Sequence, residues 1–176
     1  MLASRVRMTT FKDSISIPEG PYLAQDSDFV KVGVYWVYRG TELEVEIPTH
    51  INGKLVTSTG RMFSGDSTYQ ATPVTKVVLK HSNVTEMNNM FYYSRATTLD
   101  LSSFDTSNVT SMVGVFRNSK ATMLDLSSFD TSNVTSMGSM FRDSSATIGY
   151  ARTQADADKF NASTNKPAGL TFVVKP

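Results

Sequence analysis

The side chains best able to do chemistry in this chain are carboxylates and hydroxyls that return at a fixed distance. Asp100 and Asp125 stand in identical LDLSSFDTSNVTSM stretches, Leu99 to Met112 and Leu124 to Met137, and Ser102 and Ser127 follow them two positions later. Two carboxylates brought side by side could act as general acid and base, or as hard oxygen ligands for a cation. The repeat fixes no third ligand or nucleophile beside them, however, so a solvated outward face is the expected use, with Lys80 as a diagonal cationic partner for Asp100. His50 and His81 have no Ser or Asp at a spacing that suggests a nucleophilic relay. Cysteine is absent, which removes thiolate metal sites, disulfides and cysteine nucleophiles together. The phosphate, dinucleotide and zinc-protease patterns G-x-x-x-x-G-K, G-x-G-x-x-G and H-E-x-x-H are absent too. No catalytic residue, metal ligand or cofactor is therefore expected. Lys80, Asp100, Ser102, Asp125 and Ser127 form the candidate exposed binding face.

The element that must position these residues is an internal repeat. Leu99 to Met123 and Leu124 to Ile148 share nineteen of twenty-five residues. A Val-Thr pair followed by an aromatic recurs at Val56/Phe63, Val84/Phe91, Val109/Phe116 and Val134/Phe141, with spacings of 28, 25 and 25. One such unit cannot bury its apolar side alone, so units must stack as a leucine-rich or similar solenoid. In L-D-L-S, alternation sends Leu99, Leu101, Leu124 and Leu126 inward on short parallel strands and leaves Asp and Ser outward. The inward columns expected are Phe104/Phe129, Val84/Val109/Val134, Met87/Met112/Met137 and Phe91/Phe116/Phe141. Asn83, Asn108 and Asn133 belong at a tight corner, where a ladder of side-chain amides can satisfy backbone groups. These asparagines, and Asn161, also match the glycosylation acceptor pattern, but one motif copied three times explains the coincidence more simply.

The ends read differently. VGVYWVY from Val32 and LEVEI from Leu43 predict a hairpin with its turn at Arg39-Gly40. Thr153 to Asp156 has capping-box logic before a short helix through Phe160, and a last strand is expected from Leu170 to Val174. The organisation is thus an arm over 1–31, a hairpin cap and repeat solenoid over 32–150, and a helix-and-strand cap over 151–176. Arg5, Arg7 and Lys12 in the arm, with Pro18 and Pro21 after them, suit a segment that gains order along a partner. Tyr35, Trp36, Tyr38, Tyr92 and Tyr93 could form a sugar-stacking shelf, although alternation places half of them in the core.

Composition narrows the partners. In 176 residues, 17 Lys+Arg stand against 16 Asp+Glu, a net charge of +1, so no overall field gathers nucleic acid. The opening MLASRVRMTTFKDS lacks the apolar run of a secretory signal, and no apolar run is long enough to insert in a membrane.

The repeat wording LDLSSFDTSNVTSM…MF, the lead-in YRGTELEVEIPTHINGKLVTS and the tail GYARTQADADKFN…GLTFVVK together resemble the BspA-like leucine-rich-repeat surface proteins with DUF285-type repeats. The resemblance implies a bacterial or prophage-encoded β-rich solenoid used for attachment and recognition, without enzymatic activity. Read with the sequence, it predicts a structural or host-binding component of a bacteriophage virion, made in the cytoplasm and carried on a tail, neck or capsid surface. The alternative is an adhesin on the bacterial cell surface. Partners would be other virion proteins, a host-surface protein or glycan, or further copies of the chain.

Overall fold

The computed structural model describes residues 20–65 and 73–176, and these wind into a β-solenoid of about six turns with a short helix near the C-terminus. Strands β1 (Tyr22–Leu23), β4 (Glu44–Glu46) and β7 (Lys76–Val78) form one parallel sheet, in the order β1-β4-β7. The remaining strands of the first coils are β2 (Phe29–Val32), β3 (Tyr35–Tyr38), β5 (His50–Ile51) and β6 (Lys54–Leu55). β8 (Met123–Leu126), β9 (Ile148–Ala151) and β10 (Thr171–Val174) form a second parallel sheet, and the bridges Lys76 to Asp100 and Leu79 to Phe104 extend the first sheet onto the coil between them. The first LDL therefore makes one bridge residue where a strand is expected. The hydroxyl of Ser128 donates to the Leu101 carbonyl at 2.8 Å, taking an acceptor that a regular ladder would give to a backbone N–H.

The other corners are ladders as well. Thr85, Thr110 and Thr135 each donate a backbone N–H to the threonine one coil earlier, at 2.9 Å. Their hydroxyls reach the same carbonyls at 3.2 to 3.3 Å. The asparagine ladder takes the form of amide-to-backbone bonds: Asn108 donates to the Ser82 carbonyl at 3.0 Å and Asn133 to that of Ser107 at 2.6 Å. Stacking thus satisfies polar groups that a lone coil would leave open.

The core is a line of rings. Phe29, Tyr38, Phe63, Phe91, Phe116 and Phe141 follow one another at centroid distances of 5.7, 5.5, 5.8, 5.6 and 6.0 Å. Phe160 and Phe172 close the line at 5.9 and 4.7 Å from Phe141. Phe104 stacks on Phe129 in a second column at 5.8 Å, and Leu99, Leu101, Leu124 and Leu126 are buried as the alternation requires. The valine and methionine columns are buried in the middle coils and loosen at Val134 and Met137, which are only partly covered.

The N-terminal hairpin differs from its expectation in pairing. β2 and β3 form it, with Val32 opposite Tyr35 and Gly33 at φ +60° in the turn. LEVEI instead enters the parallel sheet, because Val45 and Ile47 can then be buried on the coil's inner side. Residues 1–19, and with them Arg5, Arg7 and Lys12, lie outside the described residues. The rest of the segment assigned to an arm is built into the first coil, where Ala24 and Phe29 join the core.

The C-terminal cap follows its sequence signals closely. Helix α1 (Gln154–Asn161) starts at Thr153, whose hydroxyl accepts from the Asp156 N–H at 3.2 Å. Gly149 has no side chain because the Phe172 ring occupies that space, 2.3 Å from where a Cβ would sit. Asn161 then acts as a false strand: its amide donates to the Phe172 carbonyl at 2.9 Å and accepts from the Phe172 N–H at 3.0 Å. The outer edge of β10 is thereby partly closed to pairing with another chain.

Coils that contribute as nearest neighbours should be removable. Deleting Leu99 to Met123 in frame puts Leu124 after Thr98 in the same register, and circular dichroism should show a β-rich protein that still melts cooperatively. A random-coil spectrum would contradict the stacking.

Candidate functional site

The repeat's aspartates are turn formers first. Asp100 accepts the Ser102 N–H at 2.9 Å, Asp105 that of Ser107 at 3.0 Å, Asp125 that of Ser127 at 3.1 Å and Asp130 that of Ser132 at 2.8 Å. An Asp that closes a turn on the N–H two residues ahead needs the D-x-S spacing, which the repeat supplies twice per unit.

Asp100, Asp125 and Asp130 then each meet a cation, Asp130 through Arg152 at 2.9 Å, whereas Asp105 is held by Ser107 alone among the described residues. Lys76 lies 3.5 Å from Asp100, and Lys175 lies 2.6 Å from Asp125. Lys80, expected beside Asp100, pairs with Glu46 at 2.7 Å, because the ladder sets Lys76 opposite Asp100. The Ser102 hydrogen bonds, with Lys76 behind them, hold the Asp100 carboxyl below its ordinary 3.8. Burial works against Asp125, but the bonds from Lys175 and Ser127 outweigh it and its carboxyl is lowered as well. Both are ionised at neutral pH, and neither is raised into the range a general acid needs. The face therefore carries Lys80, Asp100, Ser102, Asp125 and Ser127 as a charge-balanced, hydrogen-bonded surface.

The histidines lie apart from it. His50 is exposed beside the Thr49 hydroxyl at 3.2 Å, and burial holds His81 below its usual 6.5, so it is neutral at pH 7. Among the described residues no group of three or more His, Asp or Glu is arranged to hold a metal ion.

Of the aromatic residues expected to divide between shelf and core, Tyr38 is core, at 1% exposure, while Tyr35, Trp36 and Tyr92 are half-buried and Tyr93 is exposed. Tyr92 carries two guanidinium groups, Arg61 at 6.0 Å and Arg117 at 5.6 Å from its ring centroid. Tyr93 meets Tyr92 edge-on at 4.5 Å. Next to Arg61 a recess of about 310 Å³ opens between the hairpin and the turn from Arg61 to Ser64, lined by Val34, Tyr35, Val37, Arg39, Arg61 and Ser64. The arginines of this cluster are not among the expected site residues. Their signal was a departure within the repeat, because Tyr92-Tyr93 stands where the next coils have Arg117-Asn118 and Arg142-Asp143.

Ladder, spine and caps together define a capped β-solenoid repeat protein whose outward faces are free of packing duty. The chain belongs to the DUF285 family, whose model, described as "Mycoplasma protein of unknown function", matches residues 37–154. Searches of curated proteins and of solved structures find no significant match. Among the described residues no helix is long and apolar enough to cross a membrane.

Proposed function

We propose that the chain is a non-enzymatic attachment and recognition module, displayed on a biological surface and binding through the outward faces of its coils. One observation carries this reading: the repeat's carboxylates, the groups best suited to chemistry, are engaged in turns and ion pairs that hold Asp100 and Asp125 in their charged forms. Such a face is rigid and neutral overall, which suits contact with another surface more than proton transfer. The carrier is either a virion or a bacterial cell. The family match fits a virion component and a cell-surface adhesin alike.

Antibodies raised against the purified chain provide the test, applied to intact cells of the source and to any phage particles they release. Label on the outer surface of cells supports the adhesin, and label on particles supports the virion component. Label confined to the interior of permeabilised cells would overturn the attachment reading.

A further inference from the structure

Two columns of left-handed backbone run along the solenoid on either side of the Met-Phe turns. The first holds Arg61, Asn89, Gly114 and Ser139, at φ between +53° and +65°; the second holds Tyr93, Asn118 and Asp143, at +54° to +56°. Gly, Asn and Asp tolerate this region, whereas a long or aromatic side chain is strained there. Arg61 and Tyr93 are thus the costly occupants of their columns, and both flank the same ring, Tyr92. Strain of this kind persists where the side chain has work to do.

The charges agree. Lys76, Lys80, Arg142, Arg152 and Lys175 each have a carboxylate partner, while Lys31, Lys54, Lys120, Lys159 and Lys166 form no such ion pair among the described residues. Among the described residues Arg61 and Arg117 have none, and the Nε of Arg117 is buried without a hydrogen-bond partner. Two unmatched guanidinium groups, 6.0 and 5.6 Å from the centroid of one aromatic ring, suit a planar carboxylate, which a guanidinium can bind through two parallel N–H bonds. The adjoining recess has a volume of about 310 Å³, with Tyr35 and Val34 on its wall and the Ser64 hydroxyl among its polar groups. Tyrosine faces stack on the apolar faces of sugar rings, and a recess of this size admits a single ring.

We infer that Arg61, Tyr92, Tyr93 and Arg117, with the recess beside Arg61, form a binding site for a carboxylated sugar residue of a glycan. The inference deepens the attachment reading and rests on it. An acidic peptide would use the guanidinium groups but has no need of the ring-sized aromatic recess, which favours the sugar.

Calorimetric titration of the full chain with 3′-sialyllactose and a hyaluronan tetrasaccharide tests this, with lactose as the neutral control and a polyglutamate peptide as competitor. At least one carboxylated sugar should bind saturably, and about tenfold or more tighter than lactose. Arg61→Gly and Tyr93→Asn relieve backbone strain, so each should melt no lower than the parent, yet bind the sugar about tenfold more weakly. Arg117→Gln should weaken binding similarly. Absence of binding by both acidic sugars, equal binding by the variants, or preference for polyglutamate would overturn the assignment. Surface labelling of cells or particles is a separate readout, so the attachment reading can stand if this site fails.

Discussion

Phe116→Ala is expected to lower the unfolding free energy by about 3 to 5 kcal/mol, the range for emptying a buried aromatic site. Phe116 is fully buried and lies almost parallel to both neighbours in the spine, 5° from Phe91 and 1° from Phe141, with Phe129 tilted against it at 6.5 Å. Truncation leaves a void in the middle of the stack, and coils held by backbone ladders on several sides cannot collapse to fill it. Removing the ring also takes a face from Phe91 and Phe141, so the offset-stacking contribution is lost in two places. Phe116→Leu keeps most of the volume and should cost clearly less. Denaturant midpoints for the parent and both variants measure the difference. A loss below about 1 kcal/mol for the alanine variant would show that the spine does not govern stability.

Asp156 is the second position with a large expected effect, and it acts at the end of the array. In the column of Thr106 and Thr131 it stands one coil further on, and like them it is buried. Thr106 accepts the Asp130 N–H at 2.8 Å and its hydroxyl donates to the Asp130 carbonyl at 3.1 Å. Thr131 has no further coil to bond in this way. Its N–H and hydroxyl are taken instead by one oxygen of Asp156, at 3.1 and 2.6 Å, while Thr153 and Arg152 donate to the other oxygen. Asp156→Ala removes this acceptor and leaves the Thr131 N–H and hydroxyl buried without it. A loss of about 3 kcal/mol is expected, since hydrogen bonds to charged groups are worth about 1.5 to 3 kcal/mol each and do not add.

The same residue sets an acid limit. Burial alone would raise the Asp156 carboxyl, but the donors from Thr131, Thr153 and Arg152 outweigh it and bring it from 3.8 down to about 2. Between those values the unfolded chain binds more protons at this residue than the folded one. Its contribution is therefore complete above the unfolded pKa and is lost as pH falls through the folded one. Integrated over that shift, it amounts to about 2 kcal/mol. Thermal unfolding followed from pH 5 to pH 2 should show this fall in the parent. The decline should be shallower in Asp156→Ala, where the group is absent; parallel curves would mean that another carboxylate is responsible.

The particular elements show what was legible in the residues themselves. Identity between Leu99–Met123 and Leu124–Ile148 requires stacking, because an amphipathic unit of that size has no other way to cover its apolar side. The Phe, Leu and Asn columns followed from this at once, as did the cap signal at Thr153. Local chemistry specified them, and repetition removed the ambiguity of register.

What the tertiary structure alone decided concerns partners at long range. LEVEI has the alternation of a hairpin strand and of a parallel coil strand equally, and only the presence of Val77 opposite Val45 selects the second. Lys80 and Lys76 both lie near Asp100 by sequence counting, and the parallel register chose Lys76. The Arg61–Tyr92–Arg117 cluster draws on three coils whose residues are 25 or more positions apart, and no local pattern joins them. Alternation specifies which way a side chain points, whereas its neighbour across the ladder depends on how far each coil advances. That advance is set where loop lengths depart from the repeat, as they do between Phe63 and Val84, and it becomes definite only when the coils close on one another.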